Sequence, residues 1–309
     1  MSWSDKRFHL ETHGYVVVPF LFGDEKIEQK FDRTLLTFPE YSEHAHRVSR
    51  RYILSKFGAY GNPSSFHNPL VRSLRKRYGK VLEKLFPQRP KQILMDRMCM
   101  RLKGDVLGKE GYHRDQALAT TNTVFGGWMN LNDEVVQHFA CVPKTHTSKE
   151  NGTGFIKISP EKSKEYQAQE VIVEIPPKHL IIFYQNIIHR VAGGKVQDDI
   201  KRLFIGFSIQ SSPGVPLQVV DFSTYIANQG VPPLPSGVRP QMLENNHLCY
   251  PKNREKAVLW SQKTFKPECM NAEKGYVERH MRSLREMGLR MYAEYSEEDK
   301  RVVSGTYTF

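Results

Sequence analysis

Leu180-Ile181-Ile182-Phe183-Tyr184-Gln185-Asn186-Ile187-Ile188-His189 is the stretch on which the fold turns. Its first five residues are continuously apolar or aromatic and carry no helical period. A run this short, with Pro176-Pro177 before it and Gln185-Asn186 after it, reads as a strand buried on both faces. On either side of it, residues 121–131, 139–142, 171–175 and 203–209 are further candidate strands. Turn signals separate them at Asn132-Asp133, Asn151-Gly152, Pro176-Pro177 and Gly193-Gly194. Upstream, Arg97, Cys99, Arg101 and Lys103 alternate with Met98, Met100 and Leu102, the period of a strand with two unlike faces. Many short strands with such punctuation predict a sandwich, barrel or jelly roll.

The flanks are different. Residues 14–20 are β-branched and closed by Pro19, which predicts a strand. Asp24 would cap a helix carrying Ile27, Phe31, Leu35 and Phe38 on one face. Pro69 opens another, with Val71, Leu74, Tyr78, Val81, Leu82 and Leu85 as its apolar stripe. Its other face holds Arg72, Arg75, Lys76, Arg77, Lys80 and Lys84, read as a solvated surface. Residues 41–68 read as loop with short structured pieces. After residue 212 come Pro213, Pro216, Pro232, Pro233, Pro235 and Pro240. A helical period then runs through Val277, Met281, Leu284, Gly288, Met291 and Tyr295. Two units are therefore expected. Residues 1–212 form a β-rich domain with N-terminal helices, and 213–309 form a Pro-rich arm and helical tail packing on it.

The chain has 309 residues, 39% of them hydrophobic and 11% aromatic, which is too apolar for wholesale disorder. No apolar run reaches about 18 residues, so no membrane span is expected. Residues 1–10 are charged and do not read as a secretory signal. Cys99, Cys141, Cys249 and Cys269 form no C-x-x-C pair, which excludes a zinc ribbon and favours free thiols in a reducing, cytoplasmic compartment. The formal charge of +12 reads as a solubilising surface, or as a mark of an anionic partner such as nucleic acid. The absence of any run of five basic residues favours the first.

Chemistry concentrates in the β-rich region. His113-Arg114-Asp115 is an H-x-D pair. In a strand, positions i and i+2 face one side, so an imidazole nitrogen and a carboxylate oxygen can converge on a metal. His189, just beyond the buried strand, is placed to line a barrel mouth. Two His and one carboxylate with open positions form the facial triad of non-haem Fe(II) oxygenases. Arg202 enters an apolar strand, where a guanidinium needs an anionic partner or solvent. It could grip a carboxylate through two parallel hydrogen bonds.

Together these residues resemble the phytanoyl-CoA dioxygenase-like family of Fe(II)/2-oxoglutarate-dependent oxygenases, over roughly residues 8–210. Residues 8–19 are similar to the family's opening strand, and Gly111-Tyr112-His113-Arg114-Asp115 to its proximal metal motif. Residues 127–133 resemble the following strand with its acidic turn. Val142-Pro143-Lys144-Thr145-His146 resembles a Val-Pro-Gly-Ser-His stretch. Ile188-His189-Arg190 and Lys201-Arg202-Leu203 fit the distal His and the co-substrate Arg. The chain departs from the pattern at Lys144, where Gly is usual, and at Gln137-His138-Phe139, where a small residue is expected.

The resemblance implies a double-stranded β-helix, a jelly roll of two sheets with flanking helices. It implies Fe(II) on His113, Asp115 and His189, with 2-oxoglutarate and O2 as co-substrates and ascorbate as an aid to activity. Arg202 would pair the distal carboxylate of 2-oxoglutarate. Arg101 would touch 2-oxoglutarate or an anionic substrate, a salt bridge to a neighbouring strand being the plainer reading. The implied reaction hydroxylates a C–H bond of a small-molecule substrate, releasing succinate and CO2. Two alternatives stand beside it: a non-catalytic jelly-roll binding protein, and the same chemistry on nucleic acid or protein. Trp128 reads as core and His146 as a loop residue. His44, His46, His67 and His138 have no partner at ligand spacing.

Overall fold

A computed structural model describes residues 1–20, 26–36, 68–87, 91–107, 110–115, 122–148 and 158–210. The arm and tail expected over 213–309, the Asp24 cap and Phe38 lie outside the described residues, as do His44, His46 and His67.

Helices α1 (Trp3–His13), α2 (Ile27–Leu36) and α3 (Pro69–Leu85) precede or interrupt the first strands, and α4 (Pro160–Gln169) lies later. The strands are β1 (Tyr15–Pro19), β2 (Lys91–Arg101), β3 (Val106–Leu107), β4 (Glu110–His113), β5 (Asn122–Asn130) and β6 (Gln137–Val142). They continue as β7 (Val171–Ile175), β8 (His179–Tyr184), β9 (Ile188–Val191), β10 (Gly194–Lys195) and β11 (Ile200–Gln210). One sheet has the order β1-β8-β5-β11-β2 and a second has β4-β9-β6-β7. All paired neighbours are antiparallel. The chain passes back and forth between the sheets, so sequence neighbours such as β4 and β5 lie in different layers. This winding is the expected jelly roll, mainly β with flanking helices.

Period-two patterning explains the layers. Between the sheets lie Trp128, Phe139, Cys141, Ile175, Ile181, Phe183 and Ile187. The opposite face of the five-stranded sheet presents Val16, Met98, Met100, Met129, Leu203 and Ile205 to Leu10, Phe31, Leu74, Tyr78 and Leu82 of the helices. Cys99 and Cys141 are buried and are not joined in a disulfide. No helix among the described residues is long and apolar enough to cross a membrane.

Three expectations need correction. Phe8-His9-Leu10 belong to α1, and the opening strand starts at Tyr15. Ser2 and Asp5 close a capping box on this helix, and Gly14 ends it at φ 88°, a left-handed conformation that a side chain would strain. Second, His189 does not trail the strand that ends at Tyr184. The Ile187 N–H returns to the Tyr184 carbonyl at 2.9 Å, and the chain crosses to the other sheet as β9. Third, the basic face of α3 is narrower than its sequence suggests, because Arg75 is only 2% exposed.

Two features make the frame sensitive to mutation. A Cβ on Gly127 would lie 2.0 Å from the Ile181 carbonyl oxygen, a backbone atom of the neighbouring strand β8. Gly127→Ala is therefore expected to cost about 3 kcal/mol or to block folding, read as the shift in urea midpoint. On the outer side of β11, the buried Lys201 ammonium reaches Glu28 Oε1 and Asp32 Oδ2, both at 2.8 Å, and ties α2 to the sheet. Burial opposes ionisation of Glu28, but Lys201, the Asp133 N–H and Asn132 outweigh it and hold the carboxyl below its ordinary 4.5. Its contribution is present above the unfolded value and fades as pH falls through the lowered folded one. Lys201→Met should cost about 1–2 kcal/mol near neutrality, allowing for the partial exposure of both carboxylates. The difference from wild type should narrow in acid, as a urea-melt series across pH would read.

Candidate metal centre

β4 and β9 are adjacent strands of the four-stranded sheet, and His113 pairs directly with His189. Their rings lie 4.3 Å apart between centroids. Asp115 follows β4 by two residues, and its N–H donates to the Gln185 carbonyl at 2.8 Å, fixing it beside the end of β8. The ligand atoms of His113, Asp115 and His189 all lie within 4.8 Å of one another. His113 Nε2 is 3.5 Å from Asp115 Oδ1, and His189 Nε2 is 3.6 Å from Asp115 Oδ2.

The backbone sets both tautomers. His113 Nδ1 lies 2.8 Å from the Gly111 carbonyl and His189 Nδ1 lies 3.0 Å from the Ile187 carbonyl. A carbonyl only accepts, so each Nδ1 carries a proton and each Nε2 is the nitrogen that faces Asp115. Two neutral imidazoles and one carboxylate facing a common point suit a divalent transition metal. Burial disfavours charging His113, but Asp115, the Gly111 carbonyl and Glu110 prevail and raise its pKa. Burial lowers that of His189, and His113 adds to the effect while Asp115 opposes it. Phe183 and Phe139 wall this side, with ring centroids 5.4 and 5.7 Å from His189.

Arg202 lies on the inner face of β11 and is 7% exposed. Its Cζ sits 4.3 Å over the Trp128 ring, and its Nε donates to Gln137 Oε1 at 2.6 Å. Among the described residues no carboxylate touches it. Burial, and then the nearby Arg101 guanidinium, pull its pKa below the usual arginine value. Arg101 ends β2 opposite Ile200, one strand over. Arg202 is thus a buried cation with no described carboxylate against it. Trp128 is buried as expected, and it also forms the platform for this arginine. His146 stacks on Tyr184 at 4.5 Å, and its Nε2 lies 3.0 Å from the Glu11 carbonyl, so it buttresses α1 away from the triad. His138 is exposed on β6.

Two residues of this region escape a reading of the sequence. Arg114, a mere spacer in the H-x-D pair, is buried. Its Nη1 donates to the carbonyls of Thr145 (2.7 Å) and Asn186, and its Nη2 to Ser148 Oγ at 2.9 Å. It pins the segment carrying both proximal ligands to the β6–β7 and β8–β9 connections. The period-two rule already points it away from its neighbours. The other is Gln137, a polar residue amid Val135, Val136, Phe139 and Ala140.

No family model matches the chain, and no curated protein matches it. Solved structures of similar shape exist. One is the non-heme alpha ketoglutarate dependent epimerase SnoN from nogalamycin biosynthesis, at 14% identity over 71% of this chain and 91% of that one, with TM-score 0.48. Another is HygX from Streptomyces hygroscopicus with nickel and 2-oxoglutarate bound, at 12% identity over 66% and 85%, with TM-score 0.46. A third is EctD from S. alaskensis with 2-oxoglutarate and 5-hydroxyectoine, at 16% identity over 66% and 75%, with TM-score 0.47. The jelly-roll assignment rests on the strand order, not on these likenesses.

Proposed function

We propose that this chain is an Fe(II)- and 2-oxoglutarate-dependent oxygenase similar to the phytanoyl-CoA dioxygenase-like family, hydroxylating a C–H bond of a small-molecule substrate. The observation that carries the reading is the pairing, in one jelly-roll interior, of the His113–Asp115–His189 cluster with a buried Arg202 that no described carboxylate neutralises. His113, Asp115 and His189 would hold the metal through two Nε2 lone pairs and a carboxylate. The bound metal supplies O2 activation coupled to oxidative decarboxylation, in which 2-oxoglutarate, O2 and R–H give succinate, CO2 and R–OH.

The chain's own residues do the rest. The Gly111 and Ile187 carbonyls hold the ligand tautomers. Arg202, held over Trp128, offers its guanidinium to the distal carboxylate of the co-substrate, and Arg101 adds positive potential. Phe139 and Phe183 exclude water beside His189, where a reactive site must be dry. Substrate identity belongs to loops around the mouth, since fold does not dictate function.

The test is succinate formation by the full chain, purified anaerobically and then given Fe(II), ascorbate, 2-oxoglutarate and air. Slow succinate release that requires iron supports the reading. Failure to bind iron, together with no succinate, would shift the assignment to a jelly-roll binding protein.

A further inference from the structure

Gln137 opens β6 and is buried, 1% exposed, at the centre of a closed polar network. Its amide orientation is dictated by what surrounds it. Nε2 faces Asn130 Oδ1 at 2.7 Å, Asn132 Oδ1 at 3.0 Å and the Lys201 carbonyl at 3.0 Å. All three are acceptors. Asn130 cannot turn its oxygen away, because its Nδ2 already donates to the Val135 and Ile175 carbonyls. The Gln137 oxygen must therefore face the other side. There it accepts from Arg202 Nε (2.6 Å) and Trp128 Nε1 (3.0 Å).

The two contacts on Arg202 constrain different motions. The Trp128 ring supports the guanidinium from one side, with Cζ 4.3 Å from the ring centroid, but a ring face alone does not fix its rotation. The Nε–Gln137 bond removes that freedom and leaves the end-on edge of the guanidinium, between its two Nη groups, for a carboxylate. Gln137 also carries no charge, so it orients Arg202 without neutralising it, as a glutamate would.

We infer that Gln137 is the positioning residue that aims Arg202, and that through it the site distinguishes a 2-oxo acid with a distal carboxylate from one without. This rests on the proposed 2-oxoglutarate reading of the same site. Bidentate carboxylate pairing depends on angle as well as charge, so a guanidinium free to swing binds a carboxylate less well. The network continues beyond the pair. The Lys201 N–H donates to Asn132 Oδ1 at 3.0 Å, so β11 is held at Arg202's own neighbour by the partners of Gln137.

The test is calorimetric titration of the full chain loaded with Ni(II), which binds without turnover, using 2-oxoglutarate and 2-oxobutyrate. The latter lacks the distal carboxylate. Wild type should favour 2-oxoglutarate by at least about tenfold, a difference of about 1.4 kcal/mol. Gln137→Met, close in shape, should lose about tenfold for 2-oxoglutarate and leave 2-oxobutyrate and Ni(II) binding unchanged. Gln137→Glu should lose more, because its carboxylate takes the place of the ligand's on Arg202. An unchanged preference in Gln137→Met would overturn the inference. An equal loss for both acids would also overturn it, since that is the mark of a merely structural role. Should Gln137→Met fail to fold, Trp128→Phe keeps a ring under Arg202 and removes one donor from Gln137 Oε1. It should then lower the preference about threefold, and no change would overturn the inference. Wild type that binds neither acid would instead refute the 2-oxoglutarate reading itself.

Discussion

Asp115→Ala is expected to lower Fe(II) affinity by more than about 100-fold and to abolish succinate formation, while the urea midpoint stays near that of wild type. The expectation follows from position. Asp115 is the negative member of the cluster, 3.5 and 3.6 Å from the two Nε2 atoms, and it lies at the end of β4 with only partial burial. Its backbone N–H, which holds Gln185, survives the substitution. The frame is therefore spared while the metal loses its charged ligand. Without it, the neutral imidazoles of His113 and His189 are left to hold a divalent ion in a partly dry site. Equilibrium dialysis against Fe(II) under argon reads the first quantity, and denaturant melts read the second. Retained iron binding in Asp115→Ala would remove this residue from the ligand set.

Arg202→Met should leave iron binding intact and raise the KM for 2-oxoglutarate by about 100-fold, from the loss of about 3 kcal/mol when one partner of a buried charge pair is truncated. Methionine retains much of the side-chain volume over Trp128, so the loss reads charge and hydrogen bonding, not a cavity. Arg202→Lys should recover only part, because an ammonium cannot make two parallel bonds to a carboxylate. Removal of an uncompensated buried cation also relieves a desolvation cost, so this variant should be no less stable than wild type in urea. A KM unchanged in Arg202→Met would place the distal carboxylate elsewhere, with Arg101 the next residue to test.

The fold was legible where burial leaves a simple pattern. The uninterrupted run 180–184 is apolar because β8 lies inside its sheet, between β1 and β5, and is covered on both faces. The alternation through Met98, Cys99 and Met100 survives because one face of β2 meets helices. α1 was not legible in the same way. Apart from Trp3, Phe8 and Leu10 its side chains are polar or charged, and only Leu10 is buried, so its signals are the Ser2–Asp5 box and the Gly14 cap. The separate identity of β9 was hidden because Ile187 and Ile188 prolong the apolar run across a turn.

For the candidate site, H-x-D spacing and an arginine entering an apolar strand stand out because those residue types are costly to bury. Gln137 and Arg114 do not stand out. A buried amide and a surface amide look alike in a sequence, and the distinction lies in contacts between strands far apart in the chain. Gln137 meets Arg202 across 65 positions, and Arg114 meets Asn186 across 72. The departure at Gln137-His138-Phe139 from the resembled family was the visible trace of the first.

If the proposed function is right, the chain couples O2 to the oxidative decarboxylation of 2-oxoglutarate. The most direct measurement is the mass of the succinate formed by Fe(II)-loaded protein under 18O2, with Asp115→Ala run beside it. Wild type should give succinate carrying one 18O atom in its new carboxylate, and the variant should give none. Unlabelled succinate, or equal label from Asp115→Ala, would contradict it.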